Sequence, residues 1–168
     1  MNWKRTNKKI TEPIGEFLEK LIQEETEKGY TLQVSIGTDS QRSGRGYKFA
    51  TVILITTQED LGGGVLVGRG GIVLYATYQV DTYSRGKAGV NERMLLEVSK
   101  SIEVAYEVSE MLDLYGIKLE IHADINPNPL HESNKALQQA VGYILGMGYN
   151  FKIKPDSIAA SYGADHLC

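Results

Sequence analysis

Cysteine is almost absent from this chain: Cys168 is the only one in 168 residues. No disulfide can close within the chain, which excludes the small cross-linked folds and suits a reducing compartment. Long apolar runs are missing too. No stretch approaches the roughly 20 apolar residues of a membrane-spanning helix, and the basic start Met1 to Lys9 leads into no signal-like apolar run. A soluble, cytoplasmic protein with no membrane partner is expected. Neither sign of charge dominates, since 18 Lys and Arg stand against 21 Asp and Glu for a formal net charge of −3. That balance excludes a disordered acidic tail or a histone-like binder, so any contact with nucleic acid has to use local basic patches. Several sequence devices are also lacking. There is no G-x-S-x-G elbow, no Walker lysine, no G-x-G-x-x-G, no H-E-x-x-H and no paired C-x-x-C. The glycine-rich stretch from Gly62 to Gly71 therefore reads as a flexible hairpin connection.

What is present is the pattern of one α/β domain spanning 1–168, with a basic segment and helix in 1–30 and a core in 31–168. A chain of this length buries roughly 70% of its unfolded surface, enough for a full core. Thr11 as N-cap, Pro13 in the first turn and Gly29 as stop predict a leading helix. Leu32, Val34 and Ile36 alternate with polar or small residues in a strand that ends at Asp39, followed by turn chemistry up to Gly46. Tyr47 to Thr57 and Ile72 to Val80 supply two more strands of an antiparallel meander. A helix from Val90 to Tyr115, a strand from Ile117 to Asp124, a helix from about Glu132 to Met147, a strand from Tyr149 to Lys154 and a last helix after Asp156 complete the order. Helical crossovers imply parallel neighbours. The expected architecture is a five-stranded mixed sheet flanked by helices, with strands one to three a meander, four and five parallel to the first, and an extra N-terminal helix.

That connectivity sends the ends of the parallel strands to one rim, where ligands of α/β sheets gather. Asp39 and Asp124 become neighbours there. Glu97 lies beside the apolar stripe of its helix and leans toward them, whereas Glu92 points away, and Asp165 approaches from the last helix. Clustered carboxylates repel unless a cation joins them, and hard oxygen ligands suit Mg²⁺ or Mn²⁺. Two such ions about 4 Å apart activate a water and stabilise a leaving oxygen. Asp39, Glu97, Asp124 and Asp165 are thus the candidate catalytic and metal residues. Arg42, Arg45, Arg85, Lys87, Arg93 and Lys154 collect on the same rim as candidate phosphate contacts. A competing zinc reading takes His122, Asp124, His131, His166 and Cys168, but lacks a paired motif.

The strings Ile36-Gly-Thr-Asp-Ser-Gln41, Glu97-Val98, His122-Ala-Asp-Ile-Asn126, Ile153-Lys-Pro-Asp156, Ala159-Ala-Ser161 and Ala164-Asp165 carry a resemblance to the ribonuclease H-like superfamily. More narrowly, the chain resembles a bacterial family of predicted RNase H-like proteins called YkuK-like. The likeness spans nearly all of 31–168. It implies that Asp39 bridges two metal ions, Glu97 and Asp124 complete their shells, and Asp165 helps hold the metal on the water side. The implied activity is metal-dependent hydrolysis of phosphodiesters in RNA, DNA or a hybrid. The alternative is a non-catalytic module of the same fold that binds nucleic acid or protein.

Overall fold

The computed structural model describes residues 1–44, 46–81, 86–125 and 134–167. Their order is β1 (Trp3–Arg5), β2 (Lys8–Lys9), α1 (Ile14–Glu27), β3 (Thr31–Ser43), β4 (Gly46–Asp60), β5 (Leu66–Asp81), α2 (Gly86–Leu114), β6 (Leu119–Ala123), α3 (Asn134–Gly146) and β7 (Asn150–Lys152). A short C-terminal helix follows, here α4 (Ala159–Ala164), wound with π-type spacing and continued by a 3-10 turn, Asp165–Leu167.

All seven strands form one sheet in the order β2-β1-β5-β4-β3-β6-β7. The expected five are its centre and one flank: β3, β4 and β5 make the antiparallel meander, and β6 and β7 continue parallel from β3. The two additional strands come from the N-terminal segment, in which only a helix was expected. Trp3 to Arg5 pair with Ala76 to Leu74 and cover what would otherwise be the β5 edge. An uncovered edge leaves a row of backbone donors and acceptors open to other chains, and Trp3, buried here, anchors the cover.

Alternation along β3 decides the two faces. Leu32, Val34 and Ile36 meet Ile53, Ile55, Leu74 and Ile121 in the main core, together with Leu18 and Ile22 of α1 and Val98, Ile102, Ala105, Val108 and Leu112 of α2. Each of the Val, Leu and Ile side chains among them contributes roughly 1.5–3 kcal/mol through burial. The α2 stripe has a cost at one end, because its spacing also turns Glu97 and Ser101 inward, and both are buried. α1 starts at Ile14 rather than close to Thr11, with Pro13 at the capping position and no side-chain cap bond.

The opposite face receives α4. A Cβ on Gly37 would lie 2.4 Å from the Ala160 nitrogen and 2.8 Å from the Ala159 carbonyl carbon. Only a residue without a side chain lets the helix backbone settle that closely on β3. Gly163 packs on β4 less tightly, where an added Cβ would lie 3.2 Å from Val52 Cγ1. Where the glycine-rich stretch was expected to be connection alone, Gly68, Gly70 and Gly71 lie within β5. Thr57 pairs with Gly70 and Gln58 with Gly68, so Arg69 is an extra residue in a β-bulge, and Gly70 takes φ +154° there.

Candidate metal and active site

Parallel pairing of β3 with β6 runs from Val34 opposite Leu119 to Thr38 opposite Ala123. Asp39 and Asp124 are each the next residue. Neighbouring strands stand about 4.8 Å apart, so these two carboxylates leave the sheet side by side on the α4 face. β3 itself does not end at Asp39 as expected. It continues to Ser43, with Asp39 opposite Ala50 and Ser43 opposite Gly46. Because β6 stops at Ala123 while β3 runs on, no strand among the described residues pairs with that flank of β3 beyond Thr38, and groups from both helical layers reach it. Thr38, Glu97, Ser101, His122, Ala123 and Asp124 line one crevice there.

Consecutive residues of β3 serve opposite layers. Asp39 faces α4, while Ser40 faces α2 and donates its hydroxyl to Glu97 Oε1 at 2.6 Å. Arg93, one helical turn before Glu97, donates Nη1 to the Ser40 carbonyl at 2.9 Å, lies with Nε 3.8 Å from Glu97 Oε1 and stacks over the Tyr47 ring at 5.4 Å. Burial pushes the Glu97 carboxyl up to about 8; Ser40 and Arg93 oppose the rise, and Asp39 and Asp124 add to it. Burial likewise raises Asp39 to about 6, against the Ser40 backbone N–H and Arg93, with the charges of Asp124 and Asp165 adding to the rise. All four acids thus sit in one electrostatic field, whereas Glu92 is exposed.

The other two acids are held from the α4 side. Asp124 Oδ1 accepts the Ser161 hydroxyl at 2.6 Å and the Lys154 ammonium at 2.9 Å. Ser161 is in turn 2.8 Å from the Ser157 hydroxyl. Asp165, exposed on the 3-10 turn, accepts Gln41 Nε2 at 2.9 Å, and Lys48 ties the same turn to β4 through the Leu167 carbonyl at 2.7 Å. His122 is buried on this face, and its Nδ1 accepts the Ala159 N–H at 3.1 Å. The ring proton is therefore on Nε2, which stands 3.3 Å from Glu120 Oε2. Burial lowers the His122 pKa, in keeping with a neutral ring that holds the start of α4.

Of the six expected phosphate contacts, Arg42 is exposed near the end of β3. Arg93 and Lys154 are turned onto the acid cluster itself. Arg45 and Arg85 lie outside the described residues, as does the side chain of Lys87. So do two members of the zinc reading, His131 and Cys168. Among the described residues, no three His, Cys, Asp or Glu side chains converge as a ready-made metal site. The positioning residues Ser40, Gln41 and Ser161 were not foreseen. Ser40 and Gln41 follow Asp39 within two positions and Ser161 precedes Asp165 by four, but their partners lie 57, 124 and 37 positions away.

A family model described as Ribonuclease H-like matches residues 14–168, and the chain belongs to that family. No curated protein and no solved structure matches it. The family defines a fold of nucleases and nucleic-acid-binding proteins. No described helix is long and apolar enough to cross a membrane.

Proposed function

We propose that this protein is a divalent-metal-dependent nuclease of the cytoplasm, acting as one domain on phosphodiesters of RNA, DNA or a hybrid. The observation that carries the reading is the placement of Asp39 and Asp124 one residue past the last β3–β6 pair, with Glu97 and Asp165 delivered into the same field by α2 and the C-terminal turn. The donor set fits a hard cation. Four carboxylates supply oxygen ligands, and two of them are raised by burial and mutual repulsion, the condition that a bound cation relieves. Asp39, Glu97, Asp124 and Asp165 would hold Mg²⁺ or Mn²⁺, which supplies water activation and charge stabilisation at the phosphate.

The chain's own groups have defined tasks. Ser40 and Arg93 orient Glu97, Gln41 orients Asp165, and Ser161 orients Asp124, so three of the four acids are aimed by a side-chain neighbour before substrate arrives. Arg42 stands exposed on the strand that carries Asp39 and would meet the phosphate backbone without reading sequence. The test is cleavage of end-labelled single-stranded RNA, single-stranded DNA, duplexes and a hybrid with Mg²⁺, Mn²⁺ or EDTA, beside Asp124→Asn. Metal-dependent cutting lost in the variant supports the nuclease. No cutting by folded, metal-supplied protein on any substrate supports the second reading, a non-catalytic binding module. That reading is favoured by the protein partners that already engage Asp124 and Glu97.

A further inference from the structure

We propose that the Lys154 ammonium is a resident counter-ion of the acid cluster, which a divalent cation coordinating Asp124 through Oδ1 displaces, so that Lys154 sets the metal concentration at which the site fills. This inference rests on the metal-binding reading above. Its first support is register. β6 and β7 pair in parallel with His122 opposite Lys152, and two residues further along each chain stand Asp124 and Lys154. Both stand just past the ends of paired strands, so the lysine reaches the aspartate from the side opposite Asp39.

The second support is the occupancy of one oxygen. Asp124 Oδ1 takes both the Lys154 ammonium at 2.9 Å and the Ser161 hydroxyl at 2.6 Å. A carboxylate oxygen has two in-plane lone pairs, so a cation that coordinates through Oδ1 has to release one of these donors. Ser161 belongs to α4, which is pinned by Gly37 and by His122. Lys154 is the freer of the two, because its side chain is 46% exposed and its long stem can swing into solvent.

The third support is charge. Asp124 is one of two acids whose charge raises Asp39, so an ammonium on it offsets repulsion within the metal-free cluster. A metal ion would offset the same repulsion more strongly. Lys152, nearby on β7, provides the contrast: its ammonium pairs with Glu120 at 2.9 Å, outside the quartet.

The experiment is calorimetric titration of Mn²⁺ into EDTA-treated, dialysed protein at fixed pH and ionic strength, for wild type, Lys154→Ala, Lys152→Ala and Asp124→Asn. A half-exposed ion pair of this kind corresponds to an affinity change of up to about fivefold. Lys154→Ala is expected to bind Mn²⁺ tighter by about that factor, with Lys152→Ala within twofold of wild type and Asp124→Asn strongly weakened. Binding by Lys154→Ala where wild type shows none would support the proposal most strongly. Unchanged or weaker binding by Lys154→Ala, beside wild-type binding that Asp124→Asn abolishes, would overturn the displacement and leave the metal site standing. Equal tightening in Lys152→Ala would overturn it in favour of a general charge effect. Absence of Mn²⁺ binding in all four folded proteins would overturn both this inference and the metal-binding reading.

Discussion

Replacing Gly37 with alanine tests how the fold builds the site. The added Cβ would stand 2.4 Å from the Ala160 nitrogen and 2.8 Å from both the Ala159 carbonyl carbon and the Ala160 Cα. Non-bonded carbon contacts are favourable at about 3.5–4.0 Å, and the atoms met are backbone, which cannot rotate aside as a side chain does. Either α4 retreats by roughly 1 Å or β3, an interior strand, bends between its partners β4 and β6. Overpacking of this kind costs typically about 1–3 kcal/mol. For a domain of this size, each kcal/mol shifts Tm by roughly 2–4 °C, so a fall of about 2–12 °C is expected. The function should suffer beyond the stability loss. The Ala159 N–H on His122, the Ser161 hydroxyl on Asp124 and the Asp165 carboxylate all travel with α4, and such sites tolerate displacements of only about 0.5 Å. Calorimetry of unfolding and Mn²⁺ titration at a temperature where the variant is folded would read both effects. A variant with wild-type Tm and wild-type Mn²⁺ affinity would refute the claim that close packing at Gly37 positions the C-terminal acid.

Three further outcomes are expected. Glu97 is raised from 4.5 to about 8 in the folded chain, so its contribution is fully present below pH 4.5 and lost as pH rises through 8. In EDTA, wild-type stability should therefore decline between about pH 5 and 8, Glu97→Gln should flatten that decline, and an unaltered slope in the variant would contradict the assignment. His122→Ala leaves the Ala159 N–H without its acceptor, at a cost of about 1–3 kcal/mol. Hydrogen exchange should accelerate across Ile158 to Leu167, and protection equal to wild type would sink the idea that His122 pins α4. Because the His122 pKa is lowered, its stabilising effect is present above about 6.5 and lost as pH falls through its folded value. Ser40→Ala removes the hydroxyl donor to buried Glu97 and should cost about 1–3 kcal/mol, while the carboxyl titrates higher still. Carboxyl-labelled NMR that finds the Glu97 midpoint unmoved would count against that bond.

Local physics made much of the fold legible in the chain. Period-two alternation at Leu32, Val34 and Ile36 marks a half-buried strand, and the α2 stripe marks a helix whose inward face includes Glu97. Helical crossovers force parallel neighbours, which is why Asp39 and Asp124 were expected side by side. The N-terminal hairpin was not legible, because strands of two or three residues are too short to show a period and exist by docking on β5. Nor was the continuation of β3 past Asp39. Ser-Gln-Arg-Ser-Gly carries turn chemistry, yet the ribbon with β4 goes on pairing until Gly44 reverses it at φ +59°.

The site divides along the same line. Sequence alone determined that Asp39 and Asp124 come side by side on neighbouring strands and that Glu97 lies on the inner face of α2, since those depend on periods and connectivity within reach of a few residues. Only the tertiary structure decided what each acid touches. Ser40 on Glu97, Gln41 on Asp165, Ser161 and Lys154 on Asp124, and α4 against Gly37 join positions far apart along the chain. Such contacts follow from the pairing register and from the closest distance at which two backbones can pack, and neither leaves a local pattern in the sequence.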